Sequence, residues 1–172
     1  MEKYNYPEVF VKGLHNGKYC IVQTNNEFYL IEKERLGRDV DRNKVYTNII
    51  YEEILNYVDL VEARIQIDTI VVPEFTLDKK ELKGIFVKKD TPLCLIEVKG
   101  IQPYVFIKEG DNIDEKDKIA YTITGKGEVR VTKSPCKGIV LLVINLPWEQ
   151  PEKYILAVVS KDDAREIIIR KS

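Results

Sequence analysis

One histidine, one methionine and one tryptophan occur in the 172 residues, and each scarcity removes a class of chemistry. Any His-based triad or multi-His metal centre would depend on His15 alone, in the loop-like stretch Gly13-Leu14-His15-Asn16-Gly17, which reads as polar surface. The cysteines Cys20, Cys94 and Cys136 are odd in number and show no CxxC spacing, which argues against a zinc knuckle or a redox pair; small, buried or half-buried hydrophobes are expected there. No apolar run approaches the roughly 18 residues of a membrane helix, and the longest, Ile139 to Ile144, has strand length. The first six residues lack the apolar stretch of a secretory signal. A cytoplasmic protein with no membrane partner is the expectation. Excess charge is lacking too: the formal net charge is −1 with both signs interspersed, so no basic stripe for nucleic acid is visible.

What is present is a core-forming chain under a charged surface, with 44% hydrophobic and 32% charged residues. That balance argues against disorder and allows one generous domain or two small ones. The wealth of Lys, Glu, Ile and Tyr, with little Gln, is a thermophilic composition.

In the N-terminal part, Val9-Phe10-Val11 reads as a strand. The runs 18–23 and 27–32 read as a hairpin turned at Asn25 and Asn26, since asparagine tolerates positive φ. The stretch 33–44 is dense in charge and reads as a polar loop or a helical turn. The spacing of Ile50, Ile54, Val58 and Val61 predicts a helix over about 48–62, capped by Thr47 or Asn48. Period-two alternation over 64–72 predicts a strand ended by Pro73. Together these define a small α+β domain over residues 1–75.

The texture changes from residue 76 to 172. Short β-type runs recur about every ten residues between Gly, Pro, Asp and Asn, the spacing of a sandwich or barrel. Strands are expected over 83–88, 93–99, 103–108, 118–124, 128–133, 138–145, 153–160 and 165–170. Gly110 suits a tight reversal, with Asp111 bonding the backbone two residues on; Pro135 suits a strand start and Gly138 a second turn. Pairing Ile123 with Val129 places Tyr121, Ile123, Val129 and Val131 on one face. The loop is then Gly125-Lys126-Gly127, with Lys126 at its tip and Gly127 in the left-handed bulge position.

The order of these features resembles the biotinyl/lipoyl carrier domains: Glu109-Gly110-Asp111, Ile113, the strand opening at Lys118-Ile119-Ala120, the Lys126 hairpin, then Ser134-Pro135-Cys136-Lys137-Gly138. The resemblance covers about residues 83–160. It implies a barrel-sandwich hybrid of two antiparallel sheets, with Lys126 where carriers hold biotin or lipoate. Glycines flank Lys126 here, where biotin acceptors have methionines. The whole chain also resembles an uncharacterised archaeal family, domain of unknown function 2118.

The expected fold is therefore mainly β, with a small α+β N-terminal part. No cofactor, catalytic group or metal centre is predicted; Asp111, Asp114, Glu115 and Asp117 alternate with lysines and read as a solvated turn. The expected function is a non-catalytic binding or scaffolding module for a protein partner or small ligand. The alternatives are a covalent carrier, with biotin or lipoate on Lys126 and its tip formed by Gly125 and Gly127, and an enzyme with a site between the two domains. Trp148 and Glu149, between Pro147 and Pro151, are read either as a ligand or partner loop or, for the indole, as a plug in one barrel end.

Overall fold

The computed structural model describes residues 6–172; Met1 to Asn5, read above for a secretory signal, lie outside the described residues. Eight strands come first: β1 (Tyr6–Lys12), β2 (Tyr19–Thr24), β3 (Glu27–Glu32), β4 (Val45–Ile49), β5 (Val58–Asp59), β6 (Arg64–Ile65), β7 (Thr69–Phe75) and β8 (Glu81–Val87). Eight follow: β9 (Cys94–Lys99), β10 (Ile101–Val105), β11 (Asn112–Ile113), β12 (Lys118–Ile123), β13 (Val129–Lys133), β14 (Gly138–Leu146), β15 (Lys153–Val159) and β16 (Ala164–Lys171). The second group matches the recurrent β spacing of that half of the sequence.

Seven strands close a barrel in the order β1-β4-β2-β3-β16-β8-β7. It takes β8 and β16 from beyond Phe75, and β16 pairs in parallel with β3. The two-residue turn between β2 and β3 uses Asn25 and Asn26 at positive φ, as the hairpin signal required. Inside the barrel, Phe10, Phe28, Tyr46, Phe75 and Ile169 form one core.

The lobe formed by β9 to β15 adds two sheets, β11-β14-β15-β9 and β10-β12-β13. The first is a middle layer. One face, including Ile96, Val140 and Leu156, packs on Ile119 and Ala120 of β12. The other, including Leu142, Ile144 and Ala157, packs on Val9, Val11, Val71 and Val87. A strand buried on both faces needs a continuous apolar run rather than alternation, which accounts for Ile139 to Ile144.

Four expectations need correction. The helix over 48–62 does not form: β4 runs through Asn48, and a 3-10 helix, Tyr51–Tyr57, follows. Ile50 and Val61 are 66% and 91% exposed, while Ile49, Ile54 and Val58 are buried. Pairing of β4 with both β1 and β2 satisfies its backbone across strands and overrides the helical period. Among the described residues helical structure is confined to 3-10 segments, also at Lys33–Arg35 and Arg42–Lys44. Pro73 lies inside β7 rather than ending it. The β1–β7 register shifts between Tyr6 and Glu8, opposite this proline, where no amide donor is required.

Gly138 opens β14 instead of turning the chain. A Cβ there would stand 2.2 Å from the Val159 carbonyl oxygen, so the close approach of two backbones requires glycine. The last correction concerns sulfur. Cys94 and Cys136 form a disulfide, pinning β9 to the turn before β14, whereas Cys20 is free and buried as expected. Sequence distance hid the pair, because 42 residues separate the two.

Candidate functional site

The Lys126 hairpin has the register its alternation demands, Ile123 opposite Val129 and Tyr121 opposite Val131. The Thr124 amide donates to the Glu128 carbonyl at 2.8 Å and the Gly127 amide to the Thr124 carbonyl at 2.9 Å. Gly127 has φ +83°. Nothing lies within 4 Å of a Cβ placed at Gly125 or Gly127, so the tip stands clear of the lobe with Lys126 exposed.

The apolar face of this hairpin points outward. Register carries it across the sheet as two ladders, Ile101–Ile123–Val129 and Tyr104–Tyr121–Val131. Tyr104 and Tyr121 stack with centroids 5.4 Å apart, and Phe106 sits 5.5 Å from each of them. Tyr104 is 55% and Phe106 49% exposed, and Ile101, Val129 and Val131 are exposed beside them. Contiguous apolar surface of this kind marks a contact face. The hairpin pattern gave the shared face of four side chains; the extension to Ile101, Tyr104 and Phe106 needed the β10–β12 pairing.

Trp148 lies in the turn between β14 and β15, 65% exposed, so the reading of its indole as a barrel plug is overturned. The turn projects from the lobe because Leu146, the last residue of β14, pairs with Lys153 and leaves six residues outside the ladder. Trp148 and Glu149 are not brought to the aromatic face by any described contact. In the acidic turn, Asp111 accepts from the Lys108 amide rather than bonding forward, and Asp117 accepts from the Asp114 amide. Among the described residues no group of three or more potential metal ligands converges.

A third feature escaped the sequence. At one mouth of the barrel, the start of β1, the β1–β2 loop, the end of β4 and the 3-10 helix line a cavity of about 720 Å³ that is open to solvent on one side. Glu8 and Glu53 line it together with Asn48, and Tyr6, Tyr51, Tyr57 and His15 supply rings. Asn48 is fixed twice: its Oδ1 accepts the Tyr19 amide at 3.0 Å, and its side chain bonds Glu8. Gly17 leaves room for it, since a Cβ there would stand 2.0 Å from Asn48 Oδ1. Burial raises the Glu8 carboxyl above the ordinary carboxylate range, partly offset by Asn48.

The His15 Nε2 lies 2.9 Å from the Lys12 carbonyl; a carbonyl only accepts, so Nε2 carries the proton. The ring meets Tyr57 edge-on at 6.1 Å. Only the lone histidine signalled this place in the sequence, because pairing of β1 with β4 brings Asn48 to Glu8 and the 3-10 helix after β4 adds Tyr57.

A buried polar linkage spans the junction between barrel and lobe, beside the exposed Lys108–Glu74 pair at 3.7 Å. Tyr51 Oη donates to Glu109 Oε1 at 2.9 Å and accepts from the Val143 amide at 2.9 Å. Burial raises both groups, with the Glu109 charge raising Tyr51 further. A phenol so hard to ionise is a structural strut, not a base.

An archaeal family, DUF2118, described as an uncharacterized protein conserved in archaea, matches residues 4–161. "Uncharacterized protein MJ0859" of Methanocaldococcus jannaschii is 24% identical over 167 residues, covering 92% of this chain and 94% of that protein. Among the described residues no helix is long and apolar enough to cross a membrane.

Proposed function

We propose that this chain, which belongs to the uncharacterised archaeal family DUF2118, is a non-catalytic scaffolding module that pairs with a second copy of itself. The observation that carries this is the bare face of the β10-β12-β13 sheet. Large aromatic side chains cover about 150–250 Å² each, so the half-exposed Tyr104 and Phe106, the more covered Tyr121 and four aliphatic neighbours present roughly 500 Å². A standard interface buries about 800 Å² per partner. The centre of the face carries no charge; its ladders are aliphatic and aromatic throughout. Such a face suits a like partner, since homomeric interfaces are the more apolar class and a two-fold axis lays identical ladders on one another. Paired lobes would carry two Lys126 tips and two barrels on one frame.

Sedimentation equilibrium on the full chain tests this reading. The expected result is a dimer that Tyr121→Glu converts to a monomer without lowering the melting temperature by more than a few degrees. A wild-type chain that stays monomeric at every concentration overturns it, and a stable complex with a different protein on the same face replaces the second copy as occupant.

The carrier reading has one observation in its favour: Lys126 tops an exposed three-residue loop on a lobe of two antiparallel sheets, in keeping with the biotinyl/lipoyl resemblance. Intact mass of protein isolated from its native host tests it. An added mass that disappears in Lys126→Arg establishes biotin, lipoate or another acyl group there; an unmodified mass removes the carrier reading.

A further inference from the structure

We infer that the cavity at the barrel mouth binds a small organic ammonium ion, held by the Glu8 carboxylate against the rings of Tyr6, Tyr51 and Tyr57. The inference is independent of the self-association proposed above, because the cavity and the aromatic sheet face lie on different parts of the molecule. Four observations select this chemistry. The cavity, at about 720 Å³, falls within the roughly 300–1,000 Å³ of small-molecule sites. Its charged lining consists of Glu8 and Glu53, with no lysine or arginine among the described residues that line it.

Three lysines stand around the loop and each has a partner: Lys18 Nζ lies 5.7 Å from the Tyr19 ring centroid. Lys12 Nζ pairs with Asp68 at 2.9 Å, and Lys33 Nζ donates to the His15 carbonyl. Among the described acidic and basic side chains, lysine and arginine are absent from the lining and Glu8 and Glu53 present, so the lining favours a cation over an anion. A metal ion is disfavoured as well, because two carboxylates and a histidine whose Nε2 proton is committed to Lys12 do not form a coordination shell. What remains complementary is a cation with apolar flanks. Its charge would offset the half-buried Glu8 carboxylate, and its methyl or methylene groups would lie on ring faces that attract positive charge.

Asn48 gives the site preorganisation. With its Oδ1 committed to the Tyr19 amide, its amide nitrogen is left to donate to Glu8 and hold the carboxylate in one orientation. Burial raises Glu8 before binding, so the ammonium ion expels a proton when it enters near that pKa.

Isothermal titration of the full chain with choline, with cadaverine and with 3,3-dimethyl-1-butanol, the neutral carbon isostere of choline, tests the inference. The expected result is that at least one cation binds and that the isostere binds at least ten-fold more weakly than choline. Glu8→Gln should weaken binding at least ten-fold while leaving the melting temperature unchanged or higher, since it removes a half-buried charge without changing shape. Tyr57→Phe should retain affinity and Tyr57→Leu should lose it several-fold. Equal binding of choline and its isostere overturns the inference, as does full affinity in Glu8→Gln. Absence of binding by both cations also overturns it.

Discussion

The barrel and the lobe use the same residue types in opposite directions. In the barrel, Phe10, Phe28, Tyr46 and Phe75 turn inward and are all but inaccessible to water. In the lobe, Tyr104, Phe106, Tyr121 and Trp148 turn outward, while Ile, Val, Leu and Ala fill the inner layers. Geometry explains the division. Seven strands enclose a lumen wide enough for rings, whereas two sheets packed face to face leave a layer about 10 Å thick that branched aliphatics fill. Rings excluded from that layer are stable outside only if something covers them, or if function tolerates the exposure.

This contrast can be broken in several ways, the largest first. Cys136→Ser opens a 42-residue link confined to the lobe; on the chain-entropy account it should cost about 4 kcal/mol, read as a lower urea midpoint that wild type reproduces in strong reductant. Phe28→Ala, inside the barrel, should cost about 3 kcal/mol in the same assay. Phe106→Ala, on the lobe's outer face, should change monomer stability by less than about 0.5 kcal/mol. Near-equal losses at the two phenylalanines would show that the lobe's outer face is packed in solution.

The acid limb gives a smaller signal, from the barrel alone. Burial by itself would raise Asp68, but the Lys89 amide and the Lys12 ammonium outweigh it and hold the carboxyl below its usual value. A carboxylate depressed in the folded state contributes stability above its unfolded pKa, about 3.9, and loses that contribution as pH falls through the folded value. Asp68→Asn should therefore be less stable than wild type at neutral pH by about 1 kcal/mol, and the two should converge below that window. A constant difference across the titration would sink the assignment. The Tyr46 hydroxyl, pushed up to about 12 chiefly by burial and then by Asp68, stays protonated throughout.

The Lys126 hairpin was legible because every determinant is local: alternation fixes the faces, and Gly127 supplies the one positive φ the loop needs. Gly110 was legible for the same reason, with φ +91°. The segment after Thr47 was not. Its apolar spacing suits an α-helix, but β4 takes Asn48 and Ile49, a 3-10 helix follows at Tyr51–Tyr57, and Val58–Asp59 pair with β6. The Cys94–Cys136 bond and the Glu8–Asn48–His15 cavity were silent for a related reason: each joins residues far apart in sequence, with no motif spacing.

By itself, then, the chain order of apolar, turn and glycine residues determined the recurrent β spacing of the second half and where the lysine tip falls, while β10 sits at Ile101–Val105 rather than 103–108 and the short β11 had no signal. Tertiary structure decided which strands close the barrel, that β16 returns to lie beside β3, and which apolar faces meet each other rather than water. Local periods encode the face of a strand. They do not encode its neighbour, because a pairing partner is chosen by the total area that all layers bury together.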